Sequence, residues 1–240
     1  MRSMSLLSFA WRTSVRLRCL VPCVPLLALP SAADDVLTLR GELPLTNRVV
    51  ALSATNVVLS GGRSVDLKDV SRIAFDAAPV VAQTQTLLLT DGTRLSGTLQ
   101  ELNQAQVKFR STALGPLVLP LERVAAVCFA GGGIPDNLQT PKKDHVLAVL
   151  TTGIRHQGQL FAASREGLIL RTESGLPKID FAETAYVSFR KADSRTAVVL
   201  RNGDRLNMPI QWSGASFSVS LDTNPPAILT LEALKEIHYP

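Results

Sequence analysis

Residues 119–129 read Leu-Pro-Leu-Glu-Arg-Val-Ala-Ala-Val-Cys-Phe and carry the strongest structural signal in the chain. Apolar residues occupy the first, third, sixth and ninth positions, and an aromatic residue closes the stretch. The pattern returns at residues 65–75, 179–189 and 229–239, with Thr184 as its one polar exception. The closing aromatics are 54, 60 and 50 residues apart, and such a period indicates a tandem array of one small supersecondary unit.

Repeat 2, residues 85–129, shows the unit most clearly. Apolar residues run together or alternate within residues 87–89, 95–99, 107–109, 117–119 and 127–129, a pattern that predicts short strands. Asp91-Gly92 marks a hairpin between the first two strands, because both residues tolerate positive φ. Residues 120–124 are too few for an α-helix and fit a 3₁₀ turn. We therefore expect five short strands in each repeat, with a 3₁₀ turn before the last.

The recurrence divides the chain into segments: a leader at 1–33, repeat 1 at 34–76, repeat 2 at 85–129, a Gly/Pro linker at 130–144, repeat 3 at 145–189 and repeat 4 at 194–240. Units of this size are near the lower limit for independent folding, so we expect the repeats to pack on one another. The predicted fold is all-β, with four tandem five-stranded small barrels or curled sheets and about twenty strands. The linker glycines predict some freedom between two pairs of repeats.

A hairpin motif adds a resemblance to this prediction. Leu-Thr-Asp-Gly-Thr-Arg-Leu at 89–95 is echoed by Leu-Arg-Asn-Gly-Asp-Arg-Leu at 200–206. The motif resembles a repeat of exported bacterial proteins of uncharacterised function, built from tandem SH3-like or Sm-like small β-barrels. The resemblance covers all four repeats and implies that fold together with export, but it implies no catalytic residue. Repeat 1 lacks the Asp/Asn-Gly hairpin, so its barrel is expected to be incomplete.

The leader has the pattern of a secretory signal peptide. Arginines at 2, 12, 16 and 18 precede an apolar stretch at 19–29, and Ser31-Ala32-Ala33 supplies small residues for cleavage. The apolar stretch is about half of the roughly 20 residues that span a bilayer as a helix. We expect cleavage near Ala33 and export to the periplasm, cell envelope or medium, with membrane attachment only if the leader is retained.

Charge and cysteine content narrow the function classes. The chain carries a net charge of +5, but the leader holds four arginines and no acid, so the remainder has 21 basic and 20 acidic residues. A nearly neutral domain gives no electrostatic reason to bind nucleic acid. Cys128 is the one cysteine after the leader, and the chain has three histidines, so few residues are available for catalysis or metal binding. We therefore predict no enzyme, no catalytic residue, no cofactor and no metal site, and an inert, packed Cys128.

Four residues are candidates for ligand contact. Arg94, Arg155 and Arg205 each follow a hairpin glycine by two residues, and three aligned guanidinium groups would suit carboxylates or anionic glycans. The simpler interpretation is that they cover the outer face of the second strand and pair with nearby acids. Trp212 is the one tryptophan after the leader and would suit a sugar platform or, more simply, a cap on repeat 4.

His156 takes the inward position that leucine holds in repeats 2 and 4, and we expect it to be a core residue. Taken together, these patterns predict an exported, non-enzymatic scaffold or peptide-binding module of the cell envelope, acting through strand edges. Its partner would be an envelope protein segment or a second copy of the chain. The alternative is a glycan- or polymer-binding accessory module, with polysaccharide as its partner.

Overall fold

The computed structural model describes residues 34–76, 85–129, 131, 134–135, 138–193, 197–221 and 224–239. Every regular element in these ranges is a β-strand or a three-residue 3₁₀ turn, which confirms the all-β class. The predicted signal peptide at 1–33 and parts of the linker at 130–144 lie outside the described residues. Where the structure describes the chain, it contains no helix of the length and apolar character needed to cross a membrane.

Repeats 1 and 2 contribute eleven strands. Repeat 1 contains β1 (Val36–Leu39), β2 (Leu45–Thr46), β3 (Val49–Leu52), β4 (Asn56–Leu59), β5 (Ser64–Asp66), a 3₁₀ turn (Leu67–Asp69) and β6 (Val70–Ala74). Repeat 2 contains β7 (Gln85–Leu89), β8 (Arg94–Leu102), β9 (Gln106–Ser111), β10 (Gly115–Pro120), a 3₁₀ turn (Leu121–Arg123) and β11 (Val124–Cys128).

Repeats 3 and 4 contribute another eleven. Repeat 3 contains β12 (Val146–Leu150), β13 (Arg155–Ala163), β14 (Gly167–Arg171), β15 (Lys178–Asp180), a 3₁₀ turn (Phe181–Glu183) and β16 (Thr184–Ser188). Repeat 4 contains β17 (Val198–Leu200), β18 (Arg205–Leu206), β19 (Ile210–Ser213), β20 (Ser216–Val219), β21 (Ala227–Thr230), a 3₁₀ turn (Leu231–Ala233) and β22 (Leu234–His238). The 3₁₀ turn predicted in repeat 2 is thus confirmed.

The strands of repeats 2 and 3 pair in the same antiparallel order. In repeat 2 the order is β11-β7-β8-β9-β10, and in repeat 3 it is β16-β12-β13-β14-β15. The fourth strand does not pair with the closing strand in either repeat, so among the described strands these ladders stay open instead of closing into barrels. In repeats 1 and 4 the second strand is interrupted, which leaves β3-β4-β5 and β19-β20-β21 as separate three-stranded sheets.

The closing strands join the repeats in pairs. β11 pairs with β16, placing Val127 opposite Val187, and β6 pairs with β22, placing Ile73 opposite Ile237. These four side chains are all buried, so each pairing keeps a pair of apolar side chains out of water. The sequence-based expectation of freedom between repeats 2 and 3 is therefore wrong. The described residues from Asp34 onward belong to one compact unit, and its main apolar cluster draws side chains from all four repeats.

A third junction joins repeat 2 to repeat 4. Arg94 of β8 lies opposite Arg205 of β18 in an antiparallel pair. Beside this pair, the backbone N–H of Asn207 donates to Thr93 Oγ1 at 3.0 Å. On the other side, the backbone N–H of Ser96 donates to Asp204 Oδ1 at 2.5 Å. Thr93 and Asp204 hold equivalent positions in their repeats, so each strand supplies the acceptor for the other.

Asp204 makes this junction sensitive to pH. The carboxyl is buried, and burial raises its pKa above the usual value, although hydrogen bonds from Ser96 and Asn202 act in the opposite direction. Because folding raises the pKa, the contribution of Asp204 to stability is largest below the pKa of the unfolded chain. That contribution is lost as the pH rises through the pKa of the folded state.

We expect the free energy of unfolding of the wild type to fall relative to Asp204→Asn as the pH rises through this window, because the asparagine does not titrate. Urea unfolding of both proteins from about pH 4 to about pH 8 measures the difference. A difference that stays constant, or that changes in the opposite direction, would contradict a raised pKa for Asp204.

Candidate binding groove beside repeat 3

The three predicted arginines do not converge on one site. Arg94 and Arg205 meet at the β8–β18 junction, where Arg94 is half-buried and Arg205 is exposed. Arg155 begins β13 in repeat 3 and is exposed. With its amide oxygen turned toward Arg155, Gln139 accepts hydrogen bonds from both Nη atoms at 3.2 Å. The three arginines hold equivalent positions in their repeats but make different contacts, because the repeats have different neighbours.

Trp212 is half-buried on β19 in repeat 4. Its ring packs against Phe217 with the centroids 5.0 Å apart and the planes at 46°, and the side chain contacts the main apolar core. This packing occupies part of the indole and does not favour the glycan platform. That function stays a prediction.

His156 is half-buried on β13, opposite Ala148 of β12, and is not among the buried core residues, so the expectation of a core histidine is wrong. The reason is that β14 covers β13 only from Gln159 onward. Cys128 is buried in the β11–β16 seam opposite Tyr186, and burial raises the pKa of its thiol to about 12. The neutral thiol therefore predominates at neutral pH. The packed position of Cys128 expected from the sequence is confirmed, and its inertness stays a prediction. No cluster of three or more His, Cys, Asp or Glu side chains suited to a metal occurs within the described ranges.

Repeat 2 leaves two strand edges open, one at the start of β8 and one along β10, and residues of repeat 4 cover both. The backbone N–H of Ser96 donates to Asp204, and its carbonyl accepts from Thr112 N at 2.8 Å, so both groups face away from β7. On β10, Asn224 accepts from Val118 N at 2.9 Å and donates to Val118 O at 3.1 Å. An amide side chain thus completes the hydrogen bonding of that edge as a strand would.

The same edge of repeat 3 is open. Gln157 of β13 holds the position of Ser96, so its backbone N–H and carbonyl should also face away from the preceding strand. β14 covers β13 only from Gln159 to Ala163, and no described strand covers the stretch 155–157 on that side. Backbone groups on an open edge are available to another strand. The edge of β13 at residues 155–157 is therefore free to pair with a strand, whereas β18 already pairs with the equivalent edge of β8.

Two neighbouring cavities adjoin this edge. The first, of about 790 Å³, lies between repeats 2 and 3 and is lined by Gln104, Leu121, residues 140–146, Leu160 and Arg190 among others. The second, of about 530 Å³, is lined by residues 157–159 and 171–174. Lys142, His145 and Gln159 line both cavities, so the two adjoin each other. We call the two cavities together the repeat-3 groove.

One side-chain difference distinguishes the groove from a second cleft beside it. The β11–β16 seam has a cleft on each side, and some of the residues that line the two clefts hold equivalent positions in their repeats. In the cleft of about 440 Å³, Phe181 stacks on Phe129 with ring centroids 4.4 Å apart. In the repeat-3 groove the equivalent pair is Leu121 and Phe189. Leucine is smaller than phenylalanine, so the side chain at this position fills less of the groove than Phe181 fills of the other cleft.

Two residues that line the groove carry a buried side-chain donor without a partner among the described residues. Arg190 lines the larger cavity, and its buried Nε has no partner, although Nη1 of the same guanidinium donates to Glu122 O at 2.7 Å. Nε2 of Gln157 belongs to the residue that lines the smaller cavity. A buried donor without an acceptor costs about 1–3 kcal/mol, so both sites favour a ligand with acceptor oxygens.

The groove concentrates positive charge. Its lining includes five cations, Lys142, Lys143, Arg171, Arg190 and Lys191, against two carboxylates, Asp144 and Glu173. The chain after the leader is almost neutral, so this excess is local.

The groove was not predictable from the sequence. Four of its five cations lie in the linker or after β16, in segments that follow no repeat pattern, and the fifth, Arg171, ends β14. Lys142-Lys143 was a visible signal, but nothing in the sequence places it beside Arg190. No family model, no curated protein and no solved structure matches the chain.

Proposed function

We propose that this chain is an exported, non-enzymatic protein of the cell envelope that binds an extended protein segment at the open edge of β13. The observation that carries the proposal is the β8–β18 pair, in which a strand occupies the equivalent edge of repeat 2. An extended peptide can be added to a free edge in the same way, with main-chain hydrogen bonds supplying affinity and neighbouring pockets supplying specificity. The repeat-3 groove adjoins this edge and would supply the pockets.

The rest of the molecule would act as the scaffold for this edge. We interpret the four repeats as variants of one five-stranded curled sheet, with the second strand interrupted in repeats 1 and 4, packed through their closing strands and related to small barrels. The backbone bonds support this view: Phe129 N donates to Ala185 O at 2.9 Å, and Phe189 N donates to Ala125 O at 2.8 Å. Such reciprocal bonds hold repeats 2 and 3 in one orientation, so β13 is displayed on a rigid support.

An external segment fits this edge better than a second copy of the chain. Pairing β13 with its own copy would imitate β8–β18, but that junction uses side-chain acceptors at Thr93 and Asp204. The equivalent residue of repeat 3 is Ile154, which has no acceptor and is 55% exposed. A symmetric β13 dimer would therefore lack both of these hydrogen bonds, whereas an external strand can bring its own acceptor.

The test is selection of binding peptides from a library of random linear peptides displayed on phage, with the protein from Asp34 onward as bait. Gln157→Pro should abolish binding of the selected peptides, because proline removes the N–H that faces the open edge. The matched control is Ile228→Pro on β21, an edge strand of a different sheet. Ile228 corresponds to Val118, whose N–H also points away from its sheet, so this variant should bind like the wild type.

Thermal unfolding of both variants shows whether they fold. If no peptide is enriched, or if Gln157→Pro binds peptides as tightly as Ile228→Pro, strand addition at β13 is wrong. Retention of the wild type on envelope polysaccharide, with loss in Trp212→Ala, would instead establish the glycan-binding alternative.

A further inference from the structure

The repeat-3 groove also restricts the chemistry of the segment that binds there. We infer that the segment is acidic, with one carboxylate on the backbone N–H of Gln157 and others reaching Arg190 and the Lys142-Lys143 pair. This inference rests on the proposed function, because it concerns the strand that would dock on β13. Three independent features of the structure support it.

The first feature is a contact of the same kind that already exists within the molecule, between an acidic side chain of one strand and the edge of another. Asp204 immediately precedes Arg205, the residue that pairs with Arg94, and its carboxylate accepts the N–H of Ser96 at 2.5 Å. Gln157 is the equivalent of Ser96, and the described residues place no acceptor on its outward side. An acidic residue at the matching place in an incoming strand would supply that acceptor.

The second is the guanidinium of Arg190. Its Nη1 is held by the carbonyl of Glu122, which orients the side chain, while its buried Nε–H has no acceptor in the described structure. A charged donor fixed in this way binds a carboxylate more strongly than a neutral amide. Arg190 would therefore be the anchor at the far end of the groove.

The third is the excess of cations along the groove. Lys142 and Lys143 are both exposed on the segment that borders it. Exposed charges contribute modestly to affinity, but they raise the rate of association with an acidic ligand and make binding sensitive to salt. Together the three features place hydrogen-bond donors and positive charges for carboxylates from the strand edge to the floor of the groove.

The experiment measures binding of an oligoglutamate peptide by calorimetry, with an oligoglutamine peptide of the same length as control. Oligoglutamate is extended by its own charge repulsion and suits a strand site. We expect it to bind and oligoglutamine not to bind, with affinity falling as salt rises from about 0.05 M to about 0.5 M. Lys142→Gln/Lys143→Gln should bind about fivefold more weakly.

Two further variants control for charge and shape. Lys178→Gln/Lys235→Gln changes the net charge equally on strands outside the groove and should bind within about twofold of the wild type. Leu121→Phe should weaken binding, because it places in the groove the side chain that fills the equivalent cleft at Phe181. If both lysine pairs have equal effects, attraction is non-specific and the inference is wrong.

Failure of the inference differs from failure of the proposed function. If library peptides are neutral, require the Gln157 N–H and ignore Lys142→Gln/Lys143→Gln, strand addition stands and the acidic specificity is wrong. If oligoglutamate binding is unaffected by Gln157→Pro, no strand docks and both are wrong. Tighter binding of polygalacturonate than of oligoglutamate would assign the groove to an anionic polysaccharide and overturn the inference.

Discussion

Gly97→Ala is expected to lower the free energy of unfolding by more than about 3 kcal/mol, near the upper end for one added methyl group. A Cβ at residue 97 would lie 2.1 Å from the carbonyl oxygen of Arg110 and 2.7 Å from Cε1 of Phe109. The first contact is with backbone, so no rotation of a side chain relieves it. The β8–β9 ladder would have to separate beside the Gly97–Ser111 pair.

Urea unfolding measures this effect, and Thr98→Ala is the matched control. Thr98 is the next residue on β8 and is exposed, so its truncation should change stability by less than about 0.5 kcal/mol. If Gly97→Ala unfolds within about 1 kcal/mol of the wild type, the close approach of β9 does not require glycine.

Phe109→Ala is expected to cost about 3–5 kcal/mol, because it removes one of the largest fully buried side chains and leaves a cavity. Phe109 is 1% exposed on β9, with Leu99 and Leu117 as its neighbours on the adjacent strands. The control is Phe161→Ala, since Phe161 is 43% exposed and its ring contacts Arg171 at 5.1 Å. That change should cost less than about 1 kcal/mol.

Urea unfolding of both phenylalanine variants tests where the core lies. Equal losses of stability would mean that repeat 2 is not packed around Phe109. A larger loss for Phe161→Ala would place the main packing of this region on the outer face of β13.

The strand pattern was predictable because it depends on local order in the sequence. The apolar alternation around Leu95 and Leu99 depends only on neighbouring residues. The same is true of the Asp91-Gly92 hairpin and of the 3₁₀ turn at Leu121–Arg123. The burial of Cys128 followed from its place in an apolar stretch. These features require no knowledge of which repeat lies beside which.

The pairing of repeats was not predictable, because all four closing strands have the same apolar pattern. Any closing strand could pair with any other on periodicity alone. The structure pairs β11 with β16 and β6 with β22. The glycine-rich linker predicted freedom where the structure has a continuous ladder, since burial of Val127 and Val187 outweighs the flexibility of the connection.

The interruption of the second strand in repeat 4 was only partly predictable from the sequence. At Gly97 and Gly158, a backbone carbonyl of the next strand lies too close to leave room for a Cβ. The two strands, β8 and β13, are each uninterrupted over their nine residues. Repeat 4 has Met208 at the same position, and its strand stops at Leu206 and resumes at Ile210. The difference was visible in the sequence, but its consequence required the position of the neighbouring carbonyl.

By itself, the sequence determined an all-β chain of recurring short strands with apolar inner faces, because side-chain periodicity is a local property. The tertiary structure alone decided which edges are covered and which cations share a groove. Those depend on contacts between segments far apart in the chain: Asp204 reaches Ser96, and Arg190 reaches Glu122. Arg94 and Arg155 follow equivalent hairpins, yet one edge is filled and the other is open, because only repeat 2 has repeat 4 beside it.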